Sequence, residues 1–180
     1  MSQAAGLVLR PLQPEDEEAA VAASALLRVE GFEFLLDRDR ADSFPEYLSM
    51  LERLRSGAPN QSDRVPGTLL AAVTDGQLAG RLSVRHELNH FLSCFGGHIG
   101  FAVLPTYRGR GYATAMLRAG LSLLVGCGVA AALLTCEESN LASRAVIERC
   151  GGLLEDRRRR PDGGLTRRYL LSTARTPLMR

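Results

Sequence analysis

Two glycines set among arginines, in Arg108-Gly109-Arg110-Gly111-Tyr112-Ala113, could hold a diphosphate. Glycine lets a chain turn tightly and lets a ligand approach the backbone. A helix starting at this point would present amides with no intrahelical carbonyl, and its dipole favours an anion there. Arg108 and Arg110 add charge suited to phosphate oxygens. The run lacks the lysine and hydroxyl of a P-loop and the third glycine of the dinucleotide fingerprint. A glycine-softened turn without a ligand is the plain alternative. A second run, His86-Glu87-Leu88-Asn89-His90, fits HExxH. On a helix its histidines could bind zinc and Glu87 could activate water, so a zinc-dependent hydrolase is the competing enzyme class. Against it, Leu78 to Val84 alternates as a strand, position 96 is glycine rather than a third histidine, and no acidic ligand follows before Glu137. A polar strand end explains the segment, and no metal is expected. Arg157 to Arg160 raises the question of nucleic acid, but Glu155, Asp156 and Asp162 adjoin the run and no aromatic platform accompanies it. A solvated hairpin fits it better.

These residues need elements to position them. Leu7 to Leu12 reads as a short strand. Pro14 and the acids Glu15 to Glu18 then open a helix that Ala19 to Leu27 continues. Ser43-Phe44-Pro45-Glu46 is a capping-box pattern. Phe44, Leu48 and Leu51 follow on one helical face, with Gly57 as the stop. Residues 58–66 form a polar loop. Thr68 to Thr74 and Gln77 to Arg85 are two strands joined at Asp75-Gly76, a strong hairpin signal. His98 to Leu104 is a strand that Pro105 ends. Gly111 to Val125 has helical spacing, and Val129 to Cys136 is a continuous apolar run of the buried-strand type. Asn140 to Arg149 is a short helix. Leu153 to Arg159 and Leu165 to Leu171 flank Pro161-Asp162-Gly163-Gly164 as a terminal hairpin. The order β α α β β β α β α β β, without a repeat or a long linker, predicts one α/β domain of the α+β type over residues 7–171, with 172–180 as a tail.

Composition narrows the function classes. The 180 residues are 46% hydrophobic and 23% charged, enough for one full core. Net charge is +2, from 22 basic and 20 acidic residues, which disfavours a nucleic-acid module. Every base is arginine. No run of about 18 apolar residues suggests a membrane span, and no basic start precedes a long apolar run. Cys94, Cys127, Cys136 and Cys150 have no paired spacing, so reduced thiols and a cytoplasmic location are expected.

The glycine run matches the Q/R-x-x-G-x-G/A signature, and the chain resembles the GNAT superfamily of acetyl-CoA-dependent N-acetyltransferases. Asn140-Leu141-Ala142-Ser143 to Gly152 resembles that family's N-x-x-A/S and E-x-x-G segment, and the element order is similar over about residues 7 to 171. The resemblance implies an acetyltransferase with acetyl-CoA as co-substrate, and direct attack by an amine of a small molecule or peptide, without an acyl-enzyme. It implies that Phe101, Ala102 and Val103 bind the pantetheine arm through backbone bonds. It implies that Arg108, Gly109, Arg110, Gly111, Tyr112 and Ala113 hold the pyrophosphate, and that Asn140 and Ser143 contact the cofactor. Many relatives carry a tyrosine seven residues after the asparagine as general acid, where this chain has Ile147. Water is then the expected proton source for the leaving thiolate. For the general base, His98 is favoured and Glu137 is second. The region 28–66, with Glu30, Glu33, Asp37, Asp39 and Asp42, is expected to wall the acceptor pocket. The sequence leaves a homodimer open.

Overall fold

The computed structural model describes residues 6–58 and 64–173. The predicted element order is the observed one. Strand β1 (Val8–Arg10) leads through the Pro14–Asp16 turn to α1 (Glu17–Arg28) and α2 (Phe44–Ser56). Ser43 caps α2 by accepting the Glu46 N–H at 3.3 Å, and the Glu46 carboxylate accepts the Asp42 N–H at 2.8 Å. Strands β2 (Gly67–Thr74), β3 (Gln77–Arg85) and β4 (Ile99–Val103) follow, then α3 (Tyr112–Gly126), β5 (Ala131–Glu137), α4 (Leu141–Arg149), β6 (Leu153–Arg159) and β7 (Leu165–Ser172). Of the predicted tail, residues 174–180 lie outside the described residues, as do residues 59–63 of the polar loop.

The strands form two antiparallel sheets, ordered β1-β2-β3-β4 and β5-β7-β6. Side chains alternate across β2 and β3, so the first sheet buries both faces. Leu82 and Val84 join Met116, Leu117 and Leu124 of α3 in one core. Leu69, Ala71 and Val73 join Ala20, Leu27, Phe44 and Tyr47 of α1 and α2 in the other. Gly97 places β4 against β5: at φ 64 its missing Cβ would stand 2.7 Å from the Leu133 carbonyl oxygen. His98 then donates its N–H to Leu133 O at 2.7 Å, and Leu133 donates its own to His98 Nδ1 at 2.9 Å. Beyond this point β4 and β5 diverge, and the wedge between them is where the cavities described below lie.

Candidate active site

The register sets which backbone groups of β4 are used. Arg85 N–H bonds His98 O and Leu104 N–H bonds Ala79 O, so the alternate residues Gly100 and Ala102 face β3. Phe101 and Val103 therefore turn their N–H and C=O toward the open side. Of these, the Val103 carbonyl accepts Arg108 Nε at 3.0 Å.

At the far end of that edge, α3 begins without a side-chain cap. Its N-cap, Gly111, has φ 82, Gly109 has φ 78, and a Cβ at either would meet nothing within 4 Å. The conformation favours glycine, and the space in front of the backbone is open. The first amides of α3 have no carbonyl within the helix, so the helix presents bare donors at its positive end. Arg110 lies 5.5 Å over the Tyr107 ring and bonds the Thr106 carbonyl; among the described residues it has no carboxylate partner. Arg108 is tied to Glu30 at 2.6 Å, and this guanidinium holds Glu30 below the usual carboxylate range.

Two cavities open on the wedge. The first, about 420 Å³, brings together Phe101, Ala102, Val103, Arg108, Gly109, Gly111, Tyr112, Ala113, Asn140 and Ser143. The second, about 540 Å³, is lined by Ile99, Gly100, Phe101, Cys136, Glu137 and Ile147 on the strand and helix side. Phe91, Phe95, Glu30, Phe32 and Arg160 close it from the loops. Phe101, Asn140 and Ser143 belong to both. Asn140 also caps α4, its Oδ1 accepting the Ser143 N–H at 2.9 Å.

The two residues favoured as base fall in different places. Glu137 stands at the second cavity with its carboxylate held by Arg160, which Asp162 also binds at 2.7 Å. His98 lines neither cavity. It is buried, with Nδ1 occupied by the Leu133 N–H, and burial holds its pKa below the ordinary histidine value. Ile147 is buried at the cavity wall, where no hydroxyl takes its place. Cys136 is its neighbour there, and burial pushes that thiol up to about 11. Phe32, Phe91, Phe95 and Arg160 are lining residues that the motifs did not indicate. The spacing of Phe91 and Phe95, one helical turn apart with rings 5.9 Å distant, was a usable signal.

The zinc reading fails on geometry. His86 follows directly on β3 and bonds Thr68 Oγ1 at 2.9 Å, whereas His90 begins a short helical segment that runs into a π-turn at Leu92–Gly96. The two histidines therefore share no helix face. Among the described residues no group of three His, Cys, Asp or Glu could hold a metal ion. Three of the four arginines of the run are matched by acids: Arg157 pairs with Glu138, Arg158 with Asp156, and Arg160 with Glu137 and Asp162, while Arg159 donates to the Gly163 carbonyl.

The model of the Acetyltransferase (GNAT) family matches residues 32–152. The chain belongs to this family. It is an acetyltransferase, and solved structures share its fold throughout. RimJ of Mycobacterium smegmatis, solved in complex with a CoA-disulfide, is 21% identical at a TM-score of 0.69, covering 95% of this chain and 84% of that one. RimL, a ribosomal L7/L12 alpha-N-protein acetyltransferase solved with coenzyme A, is 17% identical at a TM-score of 0.67, covering 93% and 94%. A protein of Salmonella typhimurium solved with its cofactor acetyl-CoA is 13% identical at 0.63, covering 96% of both chains. No curated protein matches the acetyltransferase by sequence. Among the described residues no helix is long and apolar enough to cross a membrane.

Proposed function

We propose that the acetyltransferase moves an acetyl group from acetyl-CoA to an amine of a small molecule or peptide, by direct attack in a ternary complex. One observation carries this reading: the uncapped N-terminus of α3 and the unpaired edge of β4 line a single cavity. The residues fit the cofactor. Bare amides at Gly111 to Ala113, with Arg110 beside them, suit a pyrophosphate. The Phe101 backbone and the Val103 N–H suit the amide-bearing arm, and Asn140 and Ser143 border the same cavity. When bound, acetyl-CoA supplies an electrophilic thioester carbonyl, which the amine attacks without an acyl-enzyme.

The chain's own residues then position and move protons. The Val103 N–H is aimed at the wedge and can polarise a carbonyl there. Glu137 is the base at the acceptor side, acting directly or through water. Arg160 occupies one of its oxygens and leaves the other available. His98 acts by position, holding β4 and β5 together at the apex of the wedge. Ile147 has no proton to give, and Cys136, with its raised pKa, is a weaker acid than an ordinary thiol at about 8.5. Solvent protonates the leaving thiolate. The test is release of free CoA thiol from acetyl-CoA with an amine panel, alongside calorimetry of CoA binding. Micromolar binding and amine-dependent release are expected. Absence of CoA binding overturns the reading.

A further inference from the structure

On the face of β3 that meets α1 and α2, the alternation places Arg81, Ser83 and Arg85 in a row. Arg81 and Ser83 are buried. Arg81 lies 4.7 Å over the Phe32 ring and donates to Glu33 O at 2.8 Å, while its Nε and Nη1 find no partner among the described residues. Arg85 donates to the carbonyls of Gly96 and Gly97 at 3.3 Å each, and no carboxylate pairs with it among the described residues. Arg64 approaches from the α2–β2 connection, and its partner Asp37 is shared with Arg40 at 3.1 Å. Burial and the nearby Arg64 hold the Arg85 guanidinium below its ordinary pKa. Asp37 pairs directly with Arg64 and the charge of Glu33 acts on Arg81 and Arg64, so Arg85 is the guanidinium of the three left without a carboxylate among the described residues. Positive charge in low-dielectric surroundings without a counter-charge is costly, and a bound anion offsets that cost.

Arg64 and Arg85 open onto a third cavity, about 200 Å³, whose walls include Leu51, Leu54, Leu69 and Phe91. A water takes about 30 Å³ in the liquid, so this space suits a group of side-chain size rather than a polymer segment. An apolar wall beside a bidentate cation complements an apolar group that carries a carboxylate. This cavity adjoins the acceptor side of the wedge. Phe91 lines both, and Ser83 lies opposite Gly100, which faces the second cavity. A side chain at position 100 would narrow the passage, since its Cβ would stand 3.1 Å from Ser83 Oγ and 3.8 Å from Arg85 Nη1.

We propose that the acceptor amine belongs to a molecule with a carboxylate and an apolar group of side-chain size, held by Arg85 and Arg64 in this third cavity. The inference rests on the amine-acetylation reading above. A free apolar amino acid and a short peptide with an acidic residue share this chemistry, and the test separates them. Binding of 4-methylpentanoate and of its neutral amide is measured by calorimetry, with and without CoA. Acetylation is then compared for leucine against leucinamide, and for leucyl-glutamate against leucyl-glutamine. The carboxylate is expected to bind at least tenfold more tightly than the amide. One acid of the two pairs is expected to show a kcat/KM advantage of the same size, expressed in KM. The winning pair identifies the source. Arg85→Gln should bring the ratio toward one, and Arg85→Lys should keep most of it. If Arg85→Gln does not fold by circular dichroism, Arg64→Gln is read instead. Equal binding of acid and amide, or a ratio that survives in a folded Arg85→Gln, overturns the proposal. Failure of CoA to bind instead removes the acetylation reading, while carboxylate binding measured without CoA still reports on the cavity.

Discussion

Glu137 and His98 show how much the neighbourhood of a residue decides its chemistry. Glu137 faces a cavity and shares Arg160 with Asp162, so its carboxylate is oriented rather than free. Glu137→Gln should lower kcat/KM by about a hundredfold, the low end for loss of a general base. A variant within about threefold of wild type would assign proton removal to water alone. His98 should behave oppositely, because its job is structural. Burial depresses its pKa, so the unfolded chain takes up the proton first as pH falls through about 6.5. Its contribution to stability is therefore present above about pH 6.5 and is lost as pH falls toward the depressed folded value, with a slope of at most about 1.4 kcal/mol per pH unit. His86 shifts the same way for the same reason. His98→Asn keeps an acceptor for Leu133 N–H and removes the titration. Urea melts between pH 5 and 8 should show a shallower slope in that variant. An unchanged slope would mean that other groups carry the dependence.

At the scale of elements, two glycines with positive φ do different work. A Cβ at Gly111 meets only open space, so Gly111→Ala should cost only the left-handed conformation, about 1–2 kcal/mol of stability. Gly111→Val should in addition crowd the approach to the α3 amides and weaken CoA binding by about 2–3 kcal/mol. Gly97 combines φ 64 with ψ −177, a region open essentially to glycine alone, and its Cβ would also meet Leu133 O at 2.7 Å. Gly97→Ala should cost about 3 kcal/mol or more, since the strain and the backbone clash add. Chemical denaturation of the alanine pair decides this: equal losses would mean that the β4–β5 contact yields more readily than its geometry implies.

For the molecule as a whole, the consequence is a cleft between two sheets. The His98–Leu133 pair joins them at one end, and the packing of Met116, Leu117, Leu134 and Ile147 joins them beneath. A ligand in the first cavity touches β4 together with the N-terminal ends of α3 and α4, which only the folded chain brings together. CoA at about 100 times its Kd should therefore add about 2.7 kcal/mol and raise Tm by about 5–11 °C. Amide exchange at Phe101 and Val103 should slow in the same samples. A Tm that rises without protection at these two amides would place the ligand elsewhere.

The α/β order, the strand and helix positions and the glycine loop were legible in the sequence because each rests on local rules. Ser43 read as a cap and acts as one, Asp75-Gly76 read as a hairpin turn, and the period of each segment gave its type, whereas the cap that Asn140 makes on α4 came from the structure. Even the failure of HExxH was legible, since Leu78 to Val84 alternates as a strand and leaves His86 at its end. Which of His98 and Glu137 faces a cavity was not, because both stand at strand ends and only the splay of β4 from β5 separates them. Arg160 was one letter in a basic run until the β6–β7 hairpin carried it to Glu137. Arg64, Arg81 and Arg85 are scattered along the chain, and nothing local marks them as one group. Alternation along β3 and the approach of the α2–β2 connection to it bring them together, and such a juxtaposition exists only in three dimensions.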